Sequence, residues 1–427
     1  MLWLFLGTLF AFIALGIPVV FALTLSNLAL IVALDVPFSV LGNRLASGIN
    51  SFPLLAIPFF MFVGEVMNRG GIARRLVEFA DAIVGHITGG LGHVNIMASM
   101  FFGGISGSAI ADTAAIGGLL IPPMVEQKYP SPYAAAVTAS SSVIGIIIPP
   151  SIPFILYGII TNTSIAQMFI GGIIPGILVG LALMVTTYVT SRRHGYGVAA
   201  EGQRFSWHRL GRTFASAWPA LTVPFIVVGG ILLGVFTATE AGAVAAAAAL
   251  LLGLFLYREI KIRDLPKILL ATAKTTGVVL FLCGMAMVTA WLLTRARVPF
   301  ALAELLTSFT SSPIAVLLMA NVLLFAVGFV MDLTPAMLIL APILLPVMET
   351  VGIHPVYFGV VMSINLGIGL ITPPVGTVLY VACGVANIRL EQLVKALNPF
   401  LITLLIVLLL LIIFPQLVLF LPSVLMS

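Results

Sequence analysis

The placement of charge limits this chain most severely. Its 19 Lys and Arg and 14 Asp and Glu are clumped, leaving charge-free runs at 2–34, 45–64, 82–111, 129–191, 213–239, 275–294, 305–331, 350–388 and 396–427. Each run is about as long as a bilayer-spanning helix or longer, because about 20 apolar residues at about 1.5 Å each cross a hydrocarbon core of roughly 30 Å. With 61% hydrophobic and only 8% charged residues, against roughly a quarter charged in soluble domains, a water-soluble fold is excluded. The first run would extend roughly 50 Å as one helix, and Gly16 and Pro18 are placed to divide it. No basic residue precedes it and it is too long for a cleavable signal, so it reads as membrane helix.

The formal charge of +5 needs no nucleic acid to explain it. Residues 191–212 carry Arg192, Arg193, Arg204, Arg209 and Arg212 against Glu201 alone, and 258–267 carry Arg258, Lys261, Arg263 and Lys267 against two acids. Both segments read as cytoplasmic loops by the positive-inside bias, with two spans near 216–237 and 240–257 returning the chain to the same side. Cys283 and Cys383 lie within apolar helical runs, so neither a disulfide nor a metal site is expected.

Set against itself, the sequence shows a register of 224 residues that holds without gaps from about Gly104 to Pro175. Gly104 falls on Gly328, Pro122 on Pro346, Tyr133 on Tyr357, Gly145 on Gly369, Pro149 and Pro150 on Pro373 and Pro374, and Pro175 on Pro399. Shared helix breakers in one order carry more weight than shared Leu or Val. The first repeat ends beside Arg192, whereas the equivalent end of the second lies in the 396–427 tail, which has no charge. A periplasmic C-terminus, and hence inverted repeats, is the expectation. Arg295 and Arg297 would then lie outside, against the bias. The organisation expected is N-terminal scaffold helices over 1–40, a first repeat over 41–190, loops and scaffold helices over 191–273, and a second repeat over 274–427.

Each repeat holds two stretches that a plain spanning helix would avoid. The first has Gly103 to Asp112, read as unwound backbone at the turn of a re-entrant hairpin (about 95–125), and a broken helix (about 133–160) with Ser140 to Ser142, Gly145 and the Pro149–Pro150 pair. The second has the matching hairpin (about 320–348), with Asp332, Thr334 and Pro335, and a broken helix (about 355–385) with Gly369, Thr372, Pro373 and Pro374. Non-helical backbone at membrane depth survives only against protein or a water-filled cavity. Its freed carbonyls suit a hard cation, and half-helix N-termini suit an anion. Only Asp112 and Asp332 place carboxylates in these segments, which makes them candidates for function, or else caps of half-helices. Arg295, beside Trp291 at the end of a span, is placed to snorkel toward headgroups or to attract an organic carboxylate.

At these motifs the sequence resembles the large membrane subunit, of the DctM or SiaM type, of tripartite ATP-independent periplasmic (TRAP) transporters. The resemblance spans nearly the whole chain and is most specific at the Ser-Gly-Ser-Ala-Ile-Ala-Asp core ending at Asp112, the Ile-Ile-Pro-Pro-Ser run ending at Ser151, Asp332 to Pro346, and the Thr-Pro-Pro-Val-Gly run ending at Gly376. It implies an all-α polytopic membrane protein, an inverted-repeat elevator-type transporter with two re-entrant hairpins and two broken helices. It further implies sodium as coupling ion at two or more sites, a separate small membrane subunit, a periplasmic solute-binding protein, an organic anion substrate such as a C4-dicarboxylate or sialic acid, and location in a bacterial inner membrane. Carried over by residue, Ser106, Gly107, Ser108, Ser142 and Gly145 would form one sodium site, and Asp332, Thr334, Gly369 and Thr372 the second. Asp112, Ser151 and Arg295 would sit near the substrate.

A stand-alone sodium- or proton-coupled carboxylate symporter of related architecture is the nearest alternative. A membrane-embedded hydrolase is disfavoured, since His86, His93, His194, His208 and His354 form no His-x-x-x-His or His-Glu-x-x-His spacing. The chain also has no phosphate-binding Gly-x-x-x-x-Gly-Lys-Ser/Thr run, and rings of repeated acids or aromatics that would mark a channel are lacking.

Overall fold

The computed structural model describes residues 1–197, 205–310, 312–373 and 375–426. Glu201, Arg204 and Pro374 lie outside the described residues. Among those described, every regular element is a helix, and eight are long and apolar enough to cross a bilayer.

The first charge-free run is divided, as its Gly16 and Pro18 require, into α1 (Leu2–Ala14) and α2 (Val19–Ala33), followed by α3 (Ser39–Ile49), α4 (Ala56–Arg69) and α5 (Ile72–Val84). A helical hairpin follows, α6 (Gly90–Ser106) and α7 (Ala109–Glu126), then a broken helix, α8 (Ser131–Ser142) and α9 (Ile152–Thr161), then α10 (Ile165–His194). Helices α11 (Trp207–Leu232) and α12 (Ala238–Leu251), the latter extended by a π-helical turn (Leu252–Leu256), lead to α13 (Leu265–Arg295) and α14 (Val298–Phe309). A second hairpin, α15 (Pro313–Gly328) and α16 (Leu333–Thr350), precedes a second broken helix, α17 (Pro355–Gly369) and α18 (Thr377–Ala386). The chain finishes with α19 (Leu390–Ile413) and α20 (Gln416–Leu425).

The internal repeat is written into the geometry. Helices α7 and α16 begin and end 224 residues apart. Tyr133 Oη donates to the Thr187 carbonyl at 3.4 Å and Tyr357 Oη to the Leu411 carbonyl at 3.1 Å, the same bond in both repeats, which carries the correspondence beyond Pro175. Residues 280–293 of α13 correspond to α4 in the same register. Four crossings separate these counterparts, namely α8–α9, α10, α11 and α12, so they run in opposite directions and the repeats are inverted. The repeats also interlock: α9 packs on α16 while α18 packs on α7, and α19 packs on α8 while α10 packs on α17.

Glycine lets each hairpin lie directly on its broken helix. A Cβ on Gly103 would come within 2.4 Å of the Gly145 Cα, and one on Gly369 within 2.9 Å of the Gly328 Cα. Bare backbones in contact substitute for the hydrophobic drive that lipid does not supply. Around this core, α12 runs along α4, and α13 packs on α2, α3 and α4. Asn27 pins α2 to α13, donating to the Met285 carbonyl at 3.0 Å and accepting from Thr289 Oγ1 at 2.8 Å.

Helix α5 gathers the two basic segments on one face. Asp81 pairs with Arg209, which follows α10, and Arg75 bonds Glu259, which follows α12, at 3.0 Å while its guanidinium covers the Tyr257 ring at 4.0 Å. Exposed pairs of this kind are worth only about 0–1 kcal/mol each, so they report position more than stability. The spans between these segments run as 207–232 and 238–256, offset from the expected limits because Thr237 and Glu240 form a capping box that starts α12.

The glycine contacts yield a test. Gly103→Ala and Gly369→Ala place a methyl group against backbone, which overpacking makes costly by about 1–3 kcal/mol, whereas Gly118 has open space around it. Thermal unfolding of the purified chain in detergent is expected to show a lowered midpoint for the first two variants and none of that loss for Gly118→Ala.

Candidate functional site

The first hairpin turns through only two residues. Gly107 adopts a left-handed conformation (φ +59°) that ends α6, and Ser108 is extended and caps α7, its Oγ accepting from the Ala111 amide at 3.4 Å. The unwound stretch expected from Gly103 to Asp112 is thus far shorter, because flanking residues regain helical bonds as soon as the cap is made. Gly107 sits against the broken helix, where a Cβ would lie 3.0 Å from the Ile152 amide nitrogen and 3.2 Å from the Pro150 carbonyl oxygen. That helix passes through a 3-10 turn (Val143–Ile146) and non-helical residues 147–151 before Ser151 caps α9 by accepting from the Phe154 amide.

Asp332 stands at the position of Ser108 in the second repeat and does the same work. It caps α16, its Oδ1 accepting from the Leu333 amide at 2.9 Å and from Thr377 Oγ1 of α18 at 3.4 Å. The expected cap of a half-helix is thus what this carboxylate forms. Thr377, the first residue of α18, carried no sequence signal beyond following Gly376.

Both caps open on one cavity of about 100 Å³, in which Gly107 and Ser108 of the first hairpin face Asp332 and Thr334 of the second. Met61 of α4, which nothing in the sequence singled out, closes one side. Within a largely apolar lining, the Ser108 and Thr334 hydroxyls and the Asp332 carboxylate bring neutral oxygens and one negative charge together, a combination suited to a hard monovalent cation.

Other expected site residues lie behind this cavity or away from it. Ser106 is buried, with its Oγ 3.5 Å from the Ser108 amide. Ser142 donates to the Ala139 carbonyl of its own helix at 2.9 Å, and Thr372, just beyond α17, donates to the Ile368 carbonyl at 2.6 Å. Gly145 and Gly369 serve the backbone contacts with Gly103 and Gly328. Ser151 is fully buried and donates to the Ile146 carbonyl at 2.6 Å, although its neighbours Ile152 and Pro153 line the cavity. Asp112 is fully buried one turn beyond the cap, accepting from Ser99 Oγ at 2.7 Å. Arg295 lies at the end of α13 with its guanidinium 5.8 Å from the Trp291 ring centre, on the same indole that Arg44 covers at 5.1 Å. None of these three lines the cavity in this conformation.

A second, wider recess of about 630 Å³ lies where the α9–α10 turn meets residues 51–53 ahead of α4 and the α11–α12 turn, with Ser51, Asn162, Thr163, Ser164 and Thr237 among its polar lining. The sequence gives no sign of it, because its walls come from loops and helix ends of unremarkable composition.

Residues 6–417 match the family described as tripartite ATP-independent periplasmic transporter, DctM component. Among relatives, the 2,3-diketo-L-gulonate TRAP transporter large permease protein YiaN of Escherichia coli K12 is 42% identical, with 97% of each chain covered. The sialic acid TRAP transporter large permease protein SiaM of Vibrio cholerae is 41% identical over 98% of this chain and 96% of its own. The C4-dicarboxylate TRAP transporter large permease protein DctM of Pseudomonas aeruginosa is 39% identical over 92% of both. Among solved structures, the YdaH transporter of Alcanivorax borkumensis shares the fold, with a TM-score of 0.62 over 89% of this chain and 88% of that one at 15% identity. The chain belongs to the DctM family, the large membrane components of TRAP transporters.

Proposed function

We propose that this chain is the translocating subunit of a sodium-driven importer of organic anions, working by an elevator-type movement of the hairpins and broken helices against the scaffold helices. The observation that carries this reading is the meeting of Ser108 and Asp332, equivalent caps of two inverted hairpins, on one small cavity. Sodium is favoured over the proton because the broken segments offer many hydroxyls and free carbonyls but only two carboxylates. Sodium ions carried with the substrate would offset its negative charge during the crossing.

The relatives named above are named for 2,3-diketo-L-gulonate, sialic acid and C4-dicarboxylates, and an organic acid of this kind is the proposed substrate here. A cavity of about 100 Å³ is smaller than the 300–1,000 Å³ usual for small-molecule sites. Substrate contact with Ser151, Asp112 or Arg295 would therefore require the hairpin tips to part from the broken helices. The wider recess has that capacity and lies on the face opposite the basic segments, since α9 ends there and α10 returns.

In this reading the chain sits in the bacterial inner membrane with 191–212 and 258–267 cytoplasmic and the C-terminus periplasmic. A small membrane subunit and a periplasmic solute-binding protein complete it, the latter delivering substrate to the face of the wide recess. Cysteines introduced near 195 and 425 should react with an impermeant reagent from opposite sides of the membrane; reaction from one side contradicts the proposed orientation.

Coupling is tested in proteoliposomes holding the three components. An imposed sodium gradient should drive accumulation and a proton gradient at fixed sodium should not. Asp332→Asn removes a charged ligand, worth about 1.5–3 kcal/mol, and is expected to weaken apparent sodium affinity roughly 10- to 100-fold, whereas Ser108→Ala, at about 1 kcal/mol, weakens it several-fold. Accumulation by the proton gradient alone, or wild-type sodium dependence in both variants, would overturn the mechanism, and robust uptake by this chain without a binding protein would favour a stand-alone symporter.

A further inference from the structure

Behind the first hairpin lies a cluster of polar side chains that the cavity does not use. Asn95 and Ser99 of α6, Asp112 of α7, and Thr138 and Ser141 of α8 are all fully buried. Their hydrogen bonds diverge from the Ser99–Ser141 pair, one series running from Ser141 through Asn95 and Thr138 to the Ala134 carbonyl and the other from Ser99 to Asp112. Thr138 donates to the Ala134 carbonyl at 2.9 Å, Asn95 Nδ2 to Thr138 Oγ1 at 2.7 Å, Ser141 Oγ to Asn95 Oδ1 at 3.0 Å, and Ser99 Oγ to Asp112 Oδ2 at 2.7 Å, with Ser141 Oγ 3.1 Å from Ser99 Oγ. The shorter branch ends at the Asp112 carboxylate, whose other oxygen, Oδ1, has no partner. Asp112 enters none of the ion pairs among the described residues.

The fold does not require a carboxylate here. At the equivalent positions 224 residues on, the second repeat has Met319, Leu323, Ala336, Met362 and Asn365, and its buried polar contact is neutral, Asn365 Nδ2 donating to Asn321 Oδ1 at 2.7 Å. An ionisable group kept in one of two matching environments, buried and with a free oxygen, is arranged for something other than packing.

We propose that Asp112, Ser99, Ser141 and Asn95 form a monovalent-cation site enclosed between the first hairpin and α8, additional to the cavity shared by the two hairpin tips. The donors are all oxygen: the Asp112 carboxylate, two hydroxyls and one amide carbonyl. One carboxylate among neutral oxygens balances one charge, which selects a monovalent ion over a divalent one. The short spacing of these oxygens suits a small ion, and the choice of sodium rests on the reading of the chain as sodium-driven. Asp112 thereby acts on the cation, without touching the substrate.

The purified full chain, without substrate, is sufficient for the test. Radioactive sodium bound per chain is counted, and thermal unfolding is compared in sodium and in potassium. Asp112→Asn, close in shape and uncharged, is expected to bind one sodium fewer than wild type and to be at least as stable as wild type in potassium, losing much of the extra stability that sodium confers. Ser99→Ala keeps the charge and is expected to weaken the affinity of one sodium at least tenfold, which preserves the test if the first variant does not fold. Ser108→Ala is expected to retain this ion, so that failure of the hairpin-tip reading and failure of this one give different patterns. An unchanged sodium count in Asp112→Asn, or an unchanged sodium affinity in Ser99→Ala, would overturn the site. So would an infrared band of a protonated carboxyl that is present in the wild type in sodium and absent in Asp112→Asn.

Discussion

A peptide group inside a bilayer has no water to turn to, and each one left unpaired costs several kcal/mol. Four interruptions of helix at the centre of this chain have to satisfy that constraint together. They do so by being brief and by being enclosed. The hairpin turn at Gly107 and Ser108 is closed by a serine cap, the one before α16 by an aspartate cap, and both lie against the broken helices of their own repeats. The two caps, Ser108 and Asp332, then meet on one small cavity between the repeats.

Inversion gives this solution its economy, and departures from symmetry give it chemistry. The tyrosine bonds are equivalent in the two halves, and each half has a glycine crossing, displaced by one residue along the hairpin helix because Gly328 answers to Gly104 and not to Gly103. At the caps, by contrast, a neutral serine stands opposite a carboxylate, and behind the first hairpin a cluster ending in Asp112 stands where the second repeat has a neutral asparagine pair. Scaffold helices α2, α4, α12 and α13 pack around this core, and Met61 of α4 reaches the cavity itself.

The sequence made the helical breaks legible because glycine, proline and short polar residues have few other uses at membrane depth. The 224-residue register was visible for the same reason, and only where such residues occur. It faded toward α4, α10, α13 and α19, where apolar residues interchange freely while the geometry persists. The exact extent of each break was hidden, since a cap made by Ser108 returns Ala109 to Asp112 to helix. Side-chain aim was hidden as well: Asp112 and Asp332 look alike in the sequence, yet one points into a buried cluster and the other lines the cavity. The wide recess draws its lining from segments more than 180 residues apart, such as Ser51 and Thr237, and no local pattern predicts that.

The central claim is that the two inverted hairpins share one cation-binding cavity, so an ion held by one repeat should be felt by the other. Ile110, on the first hairpin, lines the cavity and is partly exposed at its edge (37%), and a cysteine there can be alkylated in the purified protein in place of the isoleucine. The rate of alkylation of Ile110→Cys, with Cys283 and Cys383 replaced by serine, is the direct measurement. Sodium, and not potassium, is expected to slow it, and Asp332→Asn, on the opposite repeat, is expected to abolish that protection. Protection that survives the loss of Asp332, or that potassium reproduces, would contradict a cavity shared between the repeats.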